Sequence, residues 1–184
     1  MKKLIFIASI LLLIFSVQIM AQSKEDKKAA KKAKKEAKEK EKEAALMKYV
    51  ELANTKQWVM QAETVYDEKN NSYVLNSSMN FISLENEDVI LQIAFQDIHG
   101  WTGSRGSTGL GNVSEYTVNP TKGVVKVMFT GKGANLGTVK FTVNIDASGM
   151  ARAYLAWPGT GRLTMTGRVV HPSQANIFKD STNY

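Results

Sequence analysis

Residues 124–170 read VVKVMFT, GKGANLG, TVKFTVNID, ASG, MARAYLAW, PGTG and RLTMTGRVV: four runs of alternating character separated by three short gaps. The second run is the clearest. Val139, Phe141, Val143 and Ile145 fall on one side of an extended chain, and Thr138, Lys140, Thr142, Asn144 and Asp146 fall on the other. Alternation of period two is what an antiparallel strand with one dry face requires. The gaps are short and hold glycine, as hairpin connections do.

Working upstream, the same pattern recurs. Gln57 onward alternates through Trp58, Met60 and Ala62, and Asp67–Asn71 reads as a turn. Short strands follow around Tyr73 and Leu75 and over Met79–Leu84, then an acidic turn at Glu85–Asp88 and an apolar strand over Val89–Phe95. Strand character resumes at Val113–Val118. The expectation is a mainly β domain, an antiparallel barrel or a two-sheet sandwich of about eight strands, preceded by an N-terminal charged helix. Inward positions of the last two strands include Ala151, Ala153 and Gly167, which leave room for a ligand or, preferably, for a docking helix.

The N-terminal part is built differently. Lys2 and Lys3 precede an apolar run, Leu4–Met20, closed by Ala21, so residues 1–21 have the form of a secretory signal, with cleavage expected before Gln22 and a retained anchor as the alternative. Residues 22–45 form a Lys/Glu/Ala-rich arm, helical or disordered, with Ser23 and Asp26 placed like a capping box. Leu46, Tyr49, Val50 and Ala53 then share a helical face that should dock on the sheet and end near Asn54 and Thr55. The β domain spans 46–170 and a polar tail 171–184, in which Ile177 and Phe178 are candidates to tuck against the domain.

Charge follows this division. Of the formal net charge of +7, residues 1–21 carry +2, residues 22–43 carry ten lysines against six acids (+4), and the remainder carries +1. The basic character belongs to the arm, so nucleic acid is not an expected partner of the nearly neutral domain. The arm could instead meet an anionic membrane surface. The 184 residues include no cysteine, which excludes a disulfide, a thiolate metal site, a cysteine nucleophile and a lipid-modified N-terminal cysteine.

Gln96–Asn112, QDIHGWTGSRGSTGLGN, is the longest stretch without alternation and is expected to be a loop. Asp97, His99, Trp101 and Arg105 are its candidate ligand contacts. It has no lysine to reach a phosphate as a P-loop requires, and Gly109-Leu110-Gly111 leads into a strand rather than the helix of a dinucleotide fingerprint. No G-x-S-x-G elbow occurs. His99 and His171 are too few and too far apart to suggest a metal centre. Glu63, Asp67, Glu85, Glu87, Asp88 and Asp97 offer carboxylates, but no spacing singles out a pair. No cofactor is expected, and the domain reads as non-enzymatic, binding an unknown envelope protein or a small apolar ligand; tethering or spacing through the basic arm is the alternative.

The order of features resembles a family of secreted Bacteroidetes domains, domain of unknown function 4251. The resemblance is carried by Ala21-Gln22 after the apolar run, the Lys/Ala/Glu arm and Gln57-Trp58-Val59. It continues through Gly106–Val113 before Glu115-Tyr116 and the closing Gly161–Gly167 strand. It implies a β-rich fold and an exported chain, in the periplasm or outer cell envelope, and it transfers no functional residue. Asp180-Ser181-Thr182 resembles the O-glycosylation acceptor of those bacteria, with Ser181 as the acceptor.

Overall fold

The computed structural model describes residues 2–94, 107–159 and 161–179, with side chains from residue 28 onward, residue 107 aside. The chain divides into two units, Met1–Lys42 and Glu43–Tyr184. One helix, α1 (Lys2–Asn54), runs through the first unit and supplies the first elements of the second. Ser23 therefore does not start a helix, contrary to expectation: the backbone is helical on both sides of it. Its neighbours are lysine, glutamate and alanine, which favour continuing a helix.

Among the described residues nine strands follow: β1 (Gln57–Tyr66), β2 (Ser72–Val74), β3 (Phe81–Glu85), β4 (Asp88–Ile93), β5 (Ser107–Thr121), β6 (Val124–Gly133), β7 (Gly137–Asp146), β8 (Met150–Trp157) and β9 (Gly161–Val170). All pairings are antiparallel, each strand lies beside its successor along β3–β9, and β9 returns to β1, closing an eight-stranded barrel. β2 is the extra strand. It pairs with Thr64–Tyr66 on the edge of β1 whose first half holds β3, so β2 and β3 are two pieces of one interrupted partner. Closure removes the free edges that an open sheet of this size would expose.

The face assignment read from residues 138–146 holds. Val139, Phe141, Val143 and Ile145 are buried, and their partners Val125, Val127 and Phe129 on β6 and Ala151, Ala153 and Leu155 on β8 line the same interior. Phe129 and Phe141 stack with ring centroids 4.6 Å apart, and Trp58 meets Phe129 edge-on at 6.1 Å. Each such ring contributes both buried area and a specific quadrupolar contact.

Two irregularities keep the alternation usable. β1 shifts register between Ala62 and Thr64, which puts Glu63 outside while Ala62 and Val65 both remain inside. β5 shifts between Ser114 and Thr117, where Glu115 takes a left-handed backbone (φ 56°). Without that bulge, alternation from Val113 would drive the Glu115 carboxylate inward; with it, Tyr116 and Val118 pack on the core instead.

The glycine-rich segment departs from the expected loop in its second part. Ser107–Asn112 is strand, paired with β4 from Ile93↔Ser107 to Asp88↔Asn112. Gly109 and Gly111 are there because the space their side chains would fill is taken. A Cβ on Gly109 would lie 2.8 Å from Leu136 Cδ1, and one on Gly111 would lie 2.7 Å from the Lys132 carbonyl oxygen. A strand so poor in side chains shows no alternation in sequence.

Candidate functional site

The barrel has two ends. At one end lie the start of β1 and the β3–β4, β5–β6 and β7–β8 turns; at the other lie the end of β1 and the β6–β7 and β8–β9 turns.

The first end is covered by the last turns of α1. Leu46 and Ala53 are buried in the barrel's apolar core, with Tyr49, Val50 and Leu52 packed against it, as the helical spacing of these residues predicts. Tyr49 lies over the β7–β8 turn, where Gly149 (φ 83°) leaves the space its phenol occupies. Thr55 ends the helix by donating from Oγ1 to the Leu52 carbonyl at 2.7 Å. Tyr116, brought inward by the β5 bulge, ties the cover to the wall. Its hydroxyl donates to the Ala53 carbonyl at 2.6 Å and accepts from Trp58 Nε1 at 3.1 Å, and the Lys56 ammonium stands 5.5 Å from its ring centroid. Burial pushes the Tyr116 phenol up to about 12, against a smaller opposing effect of the Trp58 hydrogen bond. A phenol that keeps its proton so firmly, with both hydrogen-bonding roles taken, is a structural clasp rather than a general base near neutral pH.

At the second end Leu136 reaches into the barrel. Leu136, in the β6–β7 hairpin, is buried against the positions where Gly109, Gly111 and Gly131 present no side chain, and its carbonyl accepts from Trp157 Nε1 at 3.3 Å. At Gly131 an added Cβ would stand 3.0 Å from each of Leu136, Phe141 and Val89. The room that the interior glycines suggest is thus occupied by the chain itself. Gly167 is explained differently again: a Cβ there would run into the Gln61 carbonyl oxygen, so the glycine permits the close approach of β9 to β1 at the barrel seam.

The outer wall has two distinct regions. Over β1, β3 and β4, Val59 and Phe81 occupy outward register positions yet are buried. The chain after β9 crosses this region. A 3-10 turn, Pro172–Gln174, is capped by His171, whose Nδ1 accepts from the Ser173 amide at 3.2 Å. Gln61 Nε2 donates to the Asn176 carbonyl (3.0 Å), Gln92 Nε2 to the Phe178 carbonyl (2.9 Å), and Lys179 pairs with Glu85. Ile177 is half-buried as anticipated, but Phe178 is 67% exposed and is held through its backbone instead. His171 serves as a cap, which accounts for it without a metal.

The other region lies over β7, β8, β9 and β1. Cross-strand pairing lines up Thr142, Tyr154, Thr164 and Tyr66 in one outward row, and the Arg152 guanidinium sits 5.6 Å from the Tyr66 ring centroid. Tyr154 is 44% exposed.

The carboxylates do not converge among the described residues. Glu85, Glu87 and Asp88 are at the helix-covered end, whereas Asp67 is at the opposite end and Glu63 is exposed on the β1 bulge. Asp67 accepts from the Asn71 amide N–H (2.8 Å) and from Asn71 Nδ2 (2.7 Å); the side-chain hydrogen bond from Asn71 chiefly holds its carboxyl below the usual range. Glu85 is likewise lowered, first by the hydrogen bond from Lys179. No group of three or more metal-ligating side chains occurs among the described residues. Asp97, His99, Trp101 and Arg105, and the acceptor Ser181, lie outside the described residues.

Neither a scan against family models nor a search of curated proteins found a match. Among solved structures, the chain is similar to a DUF4251 family protein from Bacteroides eggerthii DSM 20697, with a TM-score of 0.61 and 20% identity over 77% of this chain and 96% of that one. The chain has the fold of that DUF4251 protein. The likeness agrees with the β-rich fold that the family resemblance implies. That relative is itself described only as a protein of a family of unknown function, so the likeness brings a fold and no activity.

The Tyr116 clasp, the Leu136 plug and the covered Val59–Phe81 region escape sequence reasoning. Faint signals for them exist. They are the break in alternation at Glu115-Tyr116, the one large apolar residue between Gly133 and Gly137, and an aromatic at an outward position of a strand next to polar residues.

Proposed function

We propose that this chain is an exported, non-catalytic β-barrel domain of the cell envelope that binds a protein partner through its outer wall. The observation that carries the reading is the outward row Thr142–Tyr154–Thr164–Tyr66 with Arg152 over Tyr66. Tyrosine and arginine presented on a hydrogen-bonded barrel wall are the residue types on which interface energy concentrates. Support also comes from the barrel interior, where Leu136 fills the space above the glycines and Tyr116, Trp58 and the helix end fill the other mouth. That filling favours a surface partner over an apolar ligand held inside.

The test is site-specific photo-cross-linking in the native envelope, with the probe at Tyr154 or, on the outer face of β5, at Thr117. A discrete adduct from Tyr154 that is absent from Thr117 and lost in Arg152→Ala supports the reading. Equal labelling from both positions, or none from Tyr154, overturns it. Native mass spectrometry of the purified protein addresses the internal-ligand alternative: an apolar small molecule retained at unit stoichiometry would replace the reading.

A further inference from the structure

The arm is helical throughout its described length, and this changes the meaning of its mixed charge. Along the chain, glutamates interleave with lysines; around the helix they do not. At 3.6 residues per turn, Lys28, Lys31, Lys34, Lys35, Lys38 and Lys42 fall within an arc of about 120° that contains no carboxylate. Glu36, Glu39 and Glu43 share a second face with Lys32 and Lys40, where Lys32 and Glu36 stand 3.9 Å apart. Ala29, Ala33 and Ala37 share a third, and Glu41 and Glu39 stand at the two borders of the lysine arc. Every residue from 28 to 43 is exposed. The lysine face extends along about 21 Å of helix, at 1.5 Å per residue.

We propose that this lysine face is a peripheral docking surface for an anionic lipid bilayer, which it meets side-on without insertion. Charge complementarity sets the chemistry: a row of ammonium groups with no carboxylate inside it seeks a plane of phosphates. The third face decides the mode. An inserting amphipathic helix carries large apolar residues opposite its lysines, but here that role would fall to alanines, which bury too little area to hold a helix in lipid. Binding is therefore electrostatic, at about 1 kcal/mol per engaged lysine at most, and reversible by salt. A bilayer is favoured over a soluble polyanion because the apolar Leu4–Met20 run that precedes the arm has the form of an export signal, which would bring the arm beside a membrane. The proposal rests on the exported location proposed above. Vesicle binding is measured in vitro and location by cell fractionation, so the two fail separately.

The experiment uses the exported chain recovered from its envelope and vesicles of phosphatidylglycerol mixed with phosphatidylcholine, against phosphatidylcholine alone. Two variants lose the same charge from different faces: Lys31→Gln with Lys38→Gln, and Lys32→Gln with Lys40→Gln. Glutamine matches lysine in helix propensity, and far-UV circular dichroism checks that the helix persists. Binding to the anionic vesicles is expected to fall roughly tenfold or more for the first variant and less than about threefold for the second. It is also expected to vanish between about 0.05 and 0.5 M salt. Equal losses in the two variants, salt-insensitive binding, or no preference for anionic vesicles would overturn the proposal. So would face-dependent binding to an anionic polysaccharide without binding to vesicles.

Discussion

The hydroxyl of Tyr116 donates to the carbonyl of Ala53 at 2.6 Å, and this bond joins the end of the helix to the middle of a barrel strand 63 positions later. The same oxygen accepts from Trp58, so one atom holds the helix, the first strand and the fifth. Tyr116→Phe keeps the ring against Phe129 but leaves the Ala53 carbonyl and the Trp58 indole N–H without this partner. The expected cost is about 1–3 kcal/mol, read as a lower denaturation midpoint at unchanged m-value, with the barrel's far-UV spectrum retained.

The Leu136 plug predicts a contrast between two glycines. Gly131→Ala meets only side chains, Leu136 among them, whereas Gly111→Ala also meets the Lys132 carbonyl. Each alone should destabilise by about 1–3 kcal/mol through overpacking. In a Leu136→Ala background the penalty at Gly131 should shrink and the penalty at Gly111 should largely remain. Double-mutant cycles from urea unfolding read the difference; identical coupling at both sites would show that Leu136 is not what fills the interior there.

Stability should fall at both extremes of pH for separate reasons. The carboxyls of Asp67 and Glu85 are held below their ordinary values of 3.8 and 4.5, so the stability they contribute is present above those values and is lost as pH falls beneath them. Tyr116 is raised from 10.0 to about 12, so its contribution is present below 10 and is lost as pH climbs through that interval. Midpoints measured across pH should be flat between these limits. Asp67→Asn should flatten the acid side, and Tyr116→Phe the alkaline side. Absorbance at the phenolate band should show one tyrosine ionising last.

Removal of residues 172–184 should uncover Val59 and Phe81 on the outer wall. Exposing two such side chains costs on the order of 2–4 kcal/mol and should raise binding of an apolar dye. Lys179→Ala, which removes only the half-exposed ion pair with Glu85, should cost no more than about 0.5 kcal/mol. The gap between the two measurements separates apolar cover from charge.

The strands that carry alternation are legible before folding is considered: Val139 to Ile145 announce their faces because each buried position is large and each exposed one polar. Ser107–Asn112 is not legible, because glycines opposite Leu136 erase the signal that side chains would provide. Nor is the choice of barrel over sandwich, which turns on β9 meeting β1; Gly167 makes that seam close enough, but only against the Gln61 backbone does its absence of a side chain acquire meaning. The arm is legible in composition and not in consequence, since the sorting of its lysines from its glutamates exists only once the helix winds them apart. As for the site, Asp97, His99, Trp101 and Arg105 stand out in sequence through their glycine-rich context, whereas Tyr66, Arg152 and Tyr154 lie in strands and become neighbours only through pairing.

The β1–β9 seam sets a condition on biogenesis. From β3 to β9 each strand finds its partner next in line and can zip as the polypeptide is made, but β1 must wait for the last strand before its second edge is satisfied. Until residue 170 has been made, the nascent barrel is a curled ribbon with two sticky rims, and a prematurely terminated product would be a target for chaperones and proteases.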